Sequence, residues 1–119
     1  MPDESNHRFQ AEKNESLSST LRVSSGPGGP FYDWEVVGLF YSALHYVDAY
    51  LATKQVHPSG HSQRDFWVST EPKLRQIYSN YKNLYDRSID ARYRLLAFNA
   101  KRVDALQRDR FIPLKQYML

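Results

Sequence analysis

The chain has no cysteine, which excludes a disulfide framework, thiol chemistry and any thiolate-ligated zinc, and fits a reducing compartment. It also lacks an apolar run of the roughly 18 residues that a membrane span needs, and no basic-then-apolar leader opens it. A cytoplasmic protein without a membrane partner is therefore expected. No stretch alternates apolar and polar residues long enough to argue a strand, which leaves helices as the building material. What is present is aromatic and basic. Aromatic residues make up 14%, with nine tyrosines, too many for a disordered chain. At 119 residues the chain is long enough for one domain with a real core, and too short for two of ordinary size.

The net charge of +3 is unevenly distributed. Residues 1–30 carry −1 and residues 31–70 carry −2, whereas residues 71–119 carry +6. Such asymmetry suggests a polyanionic partner, although a solvated helix face gives the same count.

Met1 to Asn6 is polar and reads as a disordered N-terminus, with one domain spanning residues 7–119. Phe9, Lys13, Leu17 and Leu21 recur every four residues, predicting a helix over His7–Arg22 with one narrow buried stripe. The Gly/Pro-rich run from Ser24 to Pro30 breaks it. Asp33 to Thr53 is the clearest element. Asp33 reads as its N-cap, and Val37, Phe40, Leu44, Val47 and Leu51 form an apolar stripe broadened by Trp34, Tyr41, Ala43 and Tyr50. A helix this apolar belongs in the middle of a bundle. A further helix is expected to start at a capping box of Ser62 and Asp65, and another after Thr70 and Pro72. Asn99 reads as the cap of a last helix that Pro113 should kink or end. The expected fold is all-α, an antiparallel up-and-down bundle of four to five helices.

Three groups of residues carry a more specific pattern: Asp33-Trp34 with Phe40 to Leu51; then His57-Pro58, His61 and Arg64; then Tyr81, Leu84, Ser88 and Ala91-Arg92-Tyr93. In order and spacing they resemble bacterial members of the HEPN superfamily (higher eukaryotes and prokaryotes nucleotide-binding domains), most closely over residues 33–93. The resemblance implies a helical bundle, often paired into a two-fold homodimer with a cleft between subunits. It also implies RNA-cleaving toxins or defence nucleases, frequently beside a nucleotidyltransferase-like antitoxin, or relatives that bind RNA without cutting it. Nuclease members carry an arginine four to six residues before a histidine on a late helix. Here the histidines are His7, His45, His57 and His61, and none has an arginine at that distance before it. The usual metal-independent ribonuclease motif is absent.

His57, His61 and Arg64 are the catalytic candidates. Cleavage of RNA without a metal needs a base, an acid and a cation for the phosphate, and two histidines and an arginine supply those types. The alternative is that the histidines fix the loop while Arg64 pairs with Asp48 or Asp65. Histidines four apart also suggest zinc, but Pro58 and Gly60 spoil the helical geometry and no cysteine completes the set. Neither a metal nor a cofactor is expected. His45 and Asp48 share a helix face, as a nucleotide contact or as a satisfied polar network inside the bundle.

The basic residues of the C-terminal part, Lys82 and Arg87 among them, interleave with Tyr78, Tyr81, Tyr85 and Tyr93. Phosphates attract such cations, and exposed aromatic rings stack on unpaired bases, though most of these tyrosines keep the core period. Arg92 and Tyr93 close the resembling pattern; Arg92 either pairs with Asp48 or Asp33 or points into a cleft as a phosphate ligand. The reading is of a small RNA- or nucleotide-binding module, one half of a toxin–antitoxin pair. A ribonuclease with a divergent centre, or a partner-binding structural protein with no nucleic-acid ligand, are the alternatives.

Overall fold

The computed structural model describes residues 2–24, 26–27 and 29–119. The break expected at Ser24–Pro30 therefore falls partly, and Met1 wholly, outside the described residues. The elements are α1 (Glu4–Val23), α2 (Tyr32–Thr53), α3 (His61–Thr70), the single turn α4 (Pro72–Arg75), α5 (Tyr78–Tyr93), α6 (Ala100–Leu106) and α7 (Ile112–Met118). A π-helical stretch, Gln107–Phe111, joins α6 to α7 without a break. Among the described residues there is no strand, and none of the helices is long and apolar enough to cross a membrane.

Residue pairs between helices set the directions. His7 meets His45 and Ser18 meets Glu35, so α1 and α2 are antiparallel. Tyr50 reaches Glu71 just before α5 and Tyr41 reaches Arg92 at its end, so α5 runs back along α2. Asn80 meets Arg110, and Lys73 meets Tyr117, which reverses the direction again for α6–α7. The long helices thus alternate up and down, as expected, with α3 and α4 forming the crossover.

α2 is the hub because its sequence is apolar around most of its circumference. Val36, Leu39, Phe40, Ala43, Val47 and Leu51 are all buried, and they meet Leu84 and Tyr81 of α5 and Val103, Phe111 and Leu114 of the last rod. Truncating a buried aromatic such as Phe40 to alanine would cost about 3–5 kcal/mol.

The stripe predicted on α1 is not the buried one. Phe9 is 67% exposed and Leu17 50% exposed, while Ala11 and Ser18 are buried. α1 approaches α2 through small residues instead. Ser18 Oγ donates to the Glu35 carbonyl (3.0 Å), Ser42 Oγ donates to the Ala11 carbonyl (2.7 Å), and a Cβ placed on Gly38 would collide with Ser18 Oγ. Close backbone approach of this kind leaves no room for a leucine stripe, so the apolar period of α1 points elsewhere.

Several helix ends also differ from expectation. α1 starts at Glu4 rather than at His7, because the Asp3 carboxylate accepts from the Asn6 amide. Asp33 lies in the first turn of α2 rather than capping it. α3 starts after Gly60 and has no side-chain cap, so Ser62 and Asp65 do not form the expected box. Gln63 instead accepts from the Ser59 amide. Glu71, not Thr70, caps α4, whereas Asn99 caps α6 by accepting from the Arg102 amide. Pro113 does not end the last helix. Proline lacks an N–H and crowds the carbonyl four residues back, and the wider π turn immediately before it relieves that conflict.

Candidate functional site

One polar cluster lies between α2, α3 and the N-terminal end of α1. Its centre is an ion pair in the bundle interior. Arg64 donates to both carboxylate oxygens of Asp48, at 2.8 and 3.0 Å, and both residues are buried. Burial alone would disfavour the Arg64 charge, but the Asp48 carboxylate outweighs it and holds the guanidinium above its ordinary range. Tyr81 lies against the pair, and burial pushes its phenol far up. A bidentate buried pair is costly to break, by about 3–5 kcal/mol on removing one partner, because the other charge is left without compensation. Arg64 is therefore paired, with Nε and Nη2 committed to Asp48 in the interior. Asp48 is likewise held in place by the pair, one position on each carboxylate oxygen being taken by Arg64.

His45 sits one turn before Asp48 on α2. Its Nδ1 lies 3.0 Å from Nδ1 of His7 on α1. Burial holds both imidazoles below the ordinary histidine value, so both are neutral near pH 7, and one ring donates to the other. His57, on the loop before α3, is near enough for its charge to act on His7. His7, His45 and Asp48 each present a ligand-type atom, and these atoms lie within 4.8 Å of one another.

A second group of residues faces outward around Phe40. His61, the exposed first residue of α3, packs its ring 6.0 Å from Phe40 and 5.3 Å from Tyr85, centre to centre. Burial, then the charges of Arg64 and Arg92, keep its imidazole below the ordinary value. His61, Ser62, Asp65, Tyr81, Lys82 and Tyr85 line a cleft of about 310 Å³. Arg92 borders the same region from α5. It donates to Tyr41 Oη (3.0 Å) and to the Ser88 carbonyl (3.3 Å), and its guanidinium lies 5.0 Å from the centre of the exposed Tyr93 ring. It pairs with neither Asp48 nor Asp33, and among the described residues it has no carboxylate partner.

The structure thus divides the sequence-derived candidates. Arg64 and Asp48 are joined in the interior, and His45 with His57 gathers near His7. His61, Arg92 and Tyr93 lie on the outward side. Lys82 stands 4.8 Å over the Tyr85 ring and 3.7 Å from Asp86; Arg87 is 2.8 Å from the buried Asp90, which Arg94 also meets. Of the four tyrosines interleaved with the basic residues, Tyr81 is buried, Tyr78 and Tyr85 are half-buried, and Tyr93 is exposed beside Arg92. His7 was not singled out in the sequence. Its signal lay in helix phase: His7, Ala11 and Ser18 share the α1 face that meets α2.

The architecture and cluster define the class: an antiparallel all-α bundle with a buried aspartate–arginine pair and a histidine-rich polar cluster beside it. Comparison with protein-family models, curated proteins and solved structures finds no match in any of the three.

Proposed function

We propose that this chain is an RNA- or nucleotide-binding helical module of HEPN type, binding through the surface around Arg92 and His61. The observation that carries the reading is Arg92. It is a half-buried guanidinium without a carboxylate partner among the described residues, unlike Arg22, Arg64, Arg87, Arg94 and Arg108; Arg110, which also lacks one, turns instead to Asn80. Tyr41 and Ser88 hold its orientation, and Tyr93 beside it is 70% exposed. A pre-positioned cation next to an open aromatic face suits a phosphate and an unpaired base.

Cleavage is the weaker reading, because Arg64 is consumed by Asp48 and leaves the three-residue centre without its cation. Pairing into a homodimer, or with an antitoxin partner, belongs to the same proposal. A mainly apolar groove of about 510 Å³ between α1 and α2, lined by Leu17, Leu21, Trp34 and Val37, gives such a partner a surface. Tyr41 lines that groove and also holds Arg92, so a partner seated there would bring Arg92 to the edge of the joint.

The test is binding of a short labelled single-stranded RNA to the full chain, with Arg92→Gln and Tyr93→Ala beside the wild type. Stacking on Tyr93 is worth roughly 1–3 kcal/mol, a loss of about five- to 150-fold on removal. Unchanged affinity in both variants, with the fold intact by circular dichroism, would refute the assignment.

A further inference from the structure

We infer that His7, His45 and Asp48 form a binding site for one divalent transition-metal ion that clamps the N-terminal end of α1 to the centre of α2. The inference is independent of RNA binding, since none of these residues belongs to the surface around Arg92.

The geometry leads to it. The three donor atoms come from two helices and converge within 4.8 Å of one another. The two Nδ1 atoms are 3.0 Å apart, and the ring centres 5.3 Å apart, so the nitrogens face each other across one shared proton. An ion takes the place of that proton, which moves to Nε2 of the same ring so that both Nδ1 lone pairs face the metal. With metal–nitrogen bonds of about 2.05 Å, a 3.0 Å separation subtends about 94° at the ion, close to octahedral and widening to tetrahedral as the rings swing.

Asp48 supplies the third ligand. A carboxylate offers about four lone-pair positions, and the Arg64 fork takes two, one on each oxygen. Arg64 then doubles as the outer partner that fixes the carboxylate, as such partners do in metal sites. Its positive charge opposes a cation, so the two imidazoles and the carboxylate must outweigh it. Two imidazoles and one carboxylate favour zinc, cobalt, nickel or copper over calcium or magnesium.

A clamp has something to do here. α1 fully buries only Ala11 and Ser18 among its described residues, both past its first turn, and a metal at its first two turns would secure its N-terminal end.

The experiment uses the full chain, purified without a histidine tag and dialysed against chelator, titrated with Co²⁺ alone and followed by visible absorption. One saturating equivalent is expected, displaced by Zn²⁺, with the melting temperature rising as Zn²⁺ is added. Losing an outer partner costs about 10–100-fold in metal affinity, so losing a ligand in His7→Ala should weaken binding at least about tenfold. His7 lies near the chain end, so this variant tests the site without opening the core; His45→Gln is the companion variant. His61→Ala, on the outward surface, should bind as the wild type does. No saturable binding, binding that survives His7→Ala unchanged, or binding lost in His61→Ala would each overturn the site.

Discussion

Gly38→Ala offers a sharp test of how α1 is held. In an ordinary helix interior, replacing glycine by alanine stabilises by about 0.5–1 kcal/mol, through the entropy of the unfolded chain. Here the added Cβ would strike Ser18 Oγ, with the Asn14 carbonyl oxygen next at 3.4 Å. The serine must leave its 3.0 Å bond to the Glu35 carbonyl, a loss of about 0.5–1.5 kcal/mol. Overpacking adds about 1–3 kcal/mol. The net expectation is a destabilisation of about 2 kcal/mol. With an unfolding entropy of about 2.1 cal/mol/K per residue over 119 residues, that lowers Tm by roughly 8 °C. Ser18→Ala removes the obstructing oxygen, and its own Cβ stands 3.5 Å from the new one, an ordinary contact. The double variant should therefore return close to wild type, with the gain from glycine replacement offsetting the lost hydrogen bond. Thermal and urea unfolding of the four proteins completes the cycle. If Gly38→Ala alone raised stability by about 1 kcal/mol and the two changes were additive, the close approach of α1 and α2 would be wrong.

Asp48→Asn leaves Arg64 charged and buried without a counter-ion, and should cost about 3–5 kcal/mol in urea unfolding. Replacing the pair together, as Asp48→Leu with Arg64→Met, should recover most of that loss. Stability should also rise with pH up to about 6.5. Burial holds His7 and His45 below their unfolded value of 6.5, so the unfolded chain binds more protons beneath it, and stability falls as pH drops through the lowered values. Only Glu35, which burial holds above 4.5, pulls the other way. Urea midpoints that were flat or higher at pH 5.5 than at 7.5 would contradict the histidine environment.

Periodicity revealed what apolar side chains do and was silent where they are absent. α2 was legible because Val37, Phe40, Leu44, Val47 and Leu51 repeat at helical spacing, and all five are buried. α5 was legible through Tyr81 and Leu84, and Asn99 capped its helix because an asparagine side chain serves an orphan amide wherever a helix starts. α1 was misread because small residues carry its contact. Ala11, Ser18 and Gly38 leave no mark in a hydrophobic period, whereas Phe9 and Leu17 do, and they lie largely exposed. The same misreading hid His7, which shares a face with Ala11 and Ser18. Pro113 was read half correctly: local chemistry forbids a regular helix there, and a π turn one step earlier accommodates it without ending the rod.

The charge pattern changes most on folding, and with it the expected salt response. Of the eleven cations after residue 70, Lys82, Arg87, Arg94, Arg108 and Lys115 lie against carboxylates. Others, such as Arg102 and Arg110, lie around a separate cleft of about 190 Å³ with Phe98 and Asp109. Around His61 the cations available to one strand are Arg92 and Lys82, whose exposed 3.7 Å pair with Asp86 is weak enough to exchange for phosphate. For a single strand each neutralised phosphate contributes about −0.7 to the slope of log affinity against log salt. Two contacts give a slope near −1.4, so affinity falls about sevenfold between 50 and 200 mM salt. Engagement of all eleven cations would give a slope near −7.7 and a fall of roughly 4 × 10⁴. Arg92→Gln should then reduce the slope by about 0.7, so that the residual affinity falls only about 2.6-fold over the same salt range. A steep slope that Arg92→Gln left unchanged would place the nucleic acid on the Arg102 side of the bundle, away from His61.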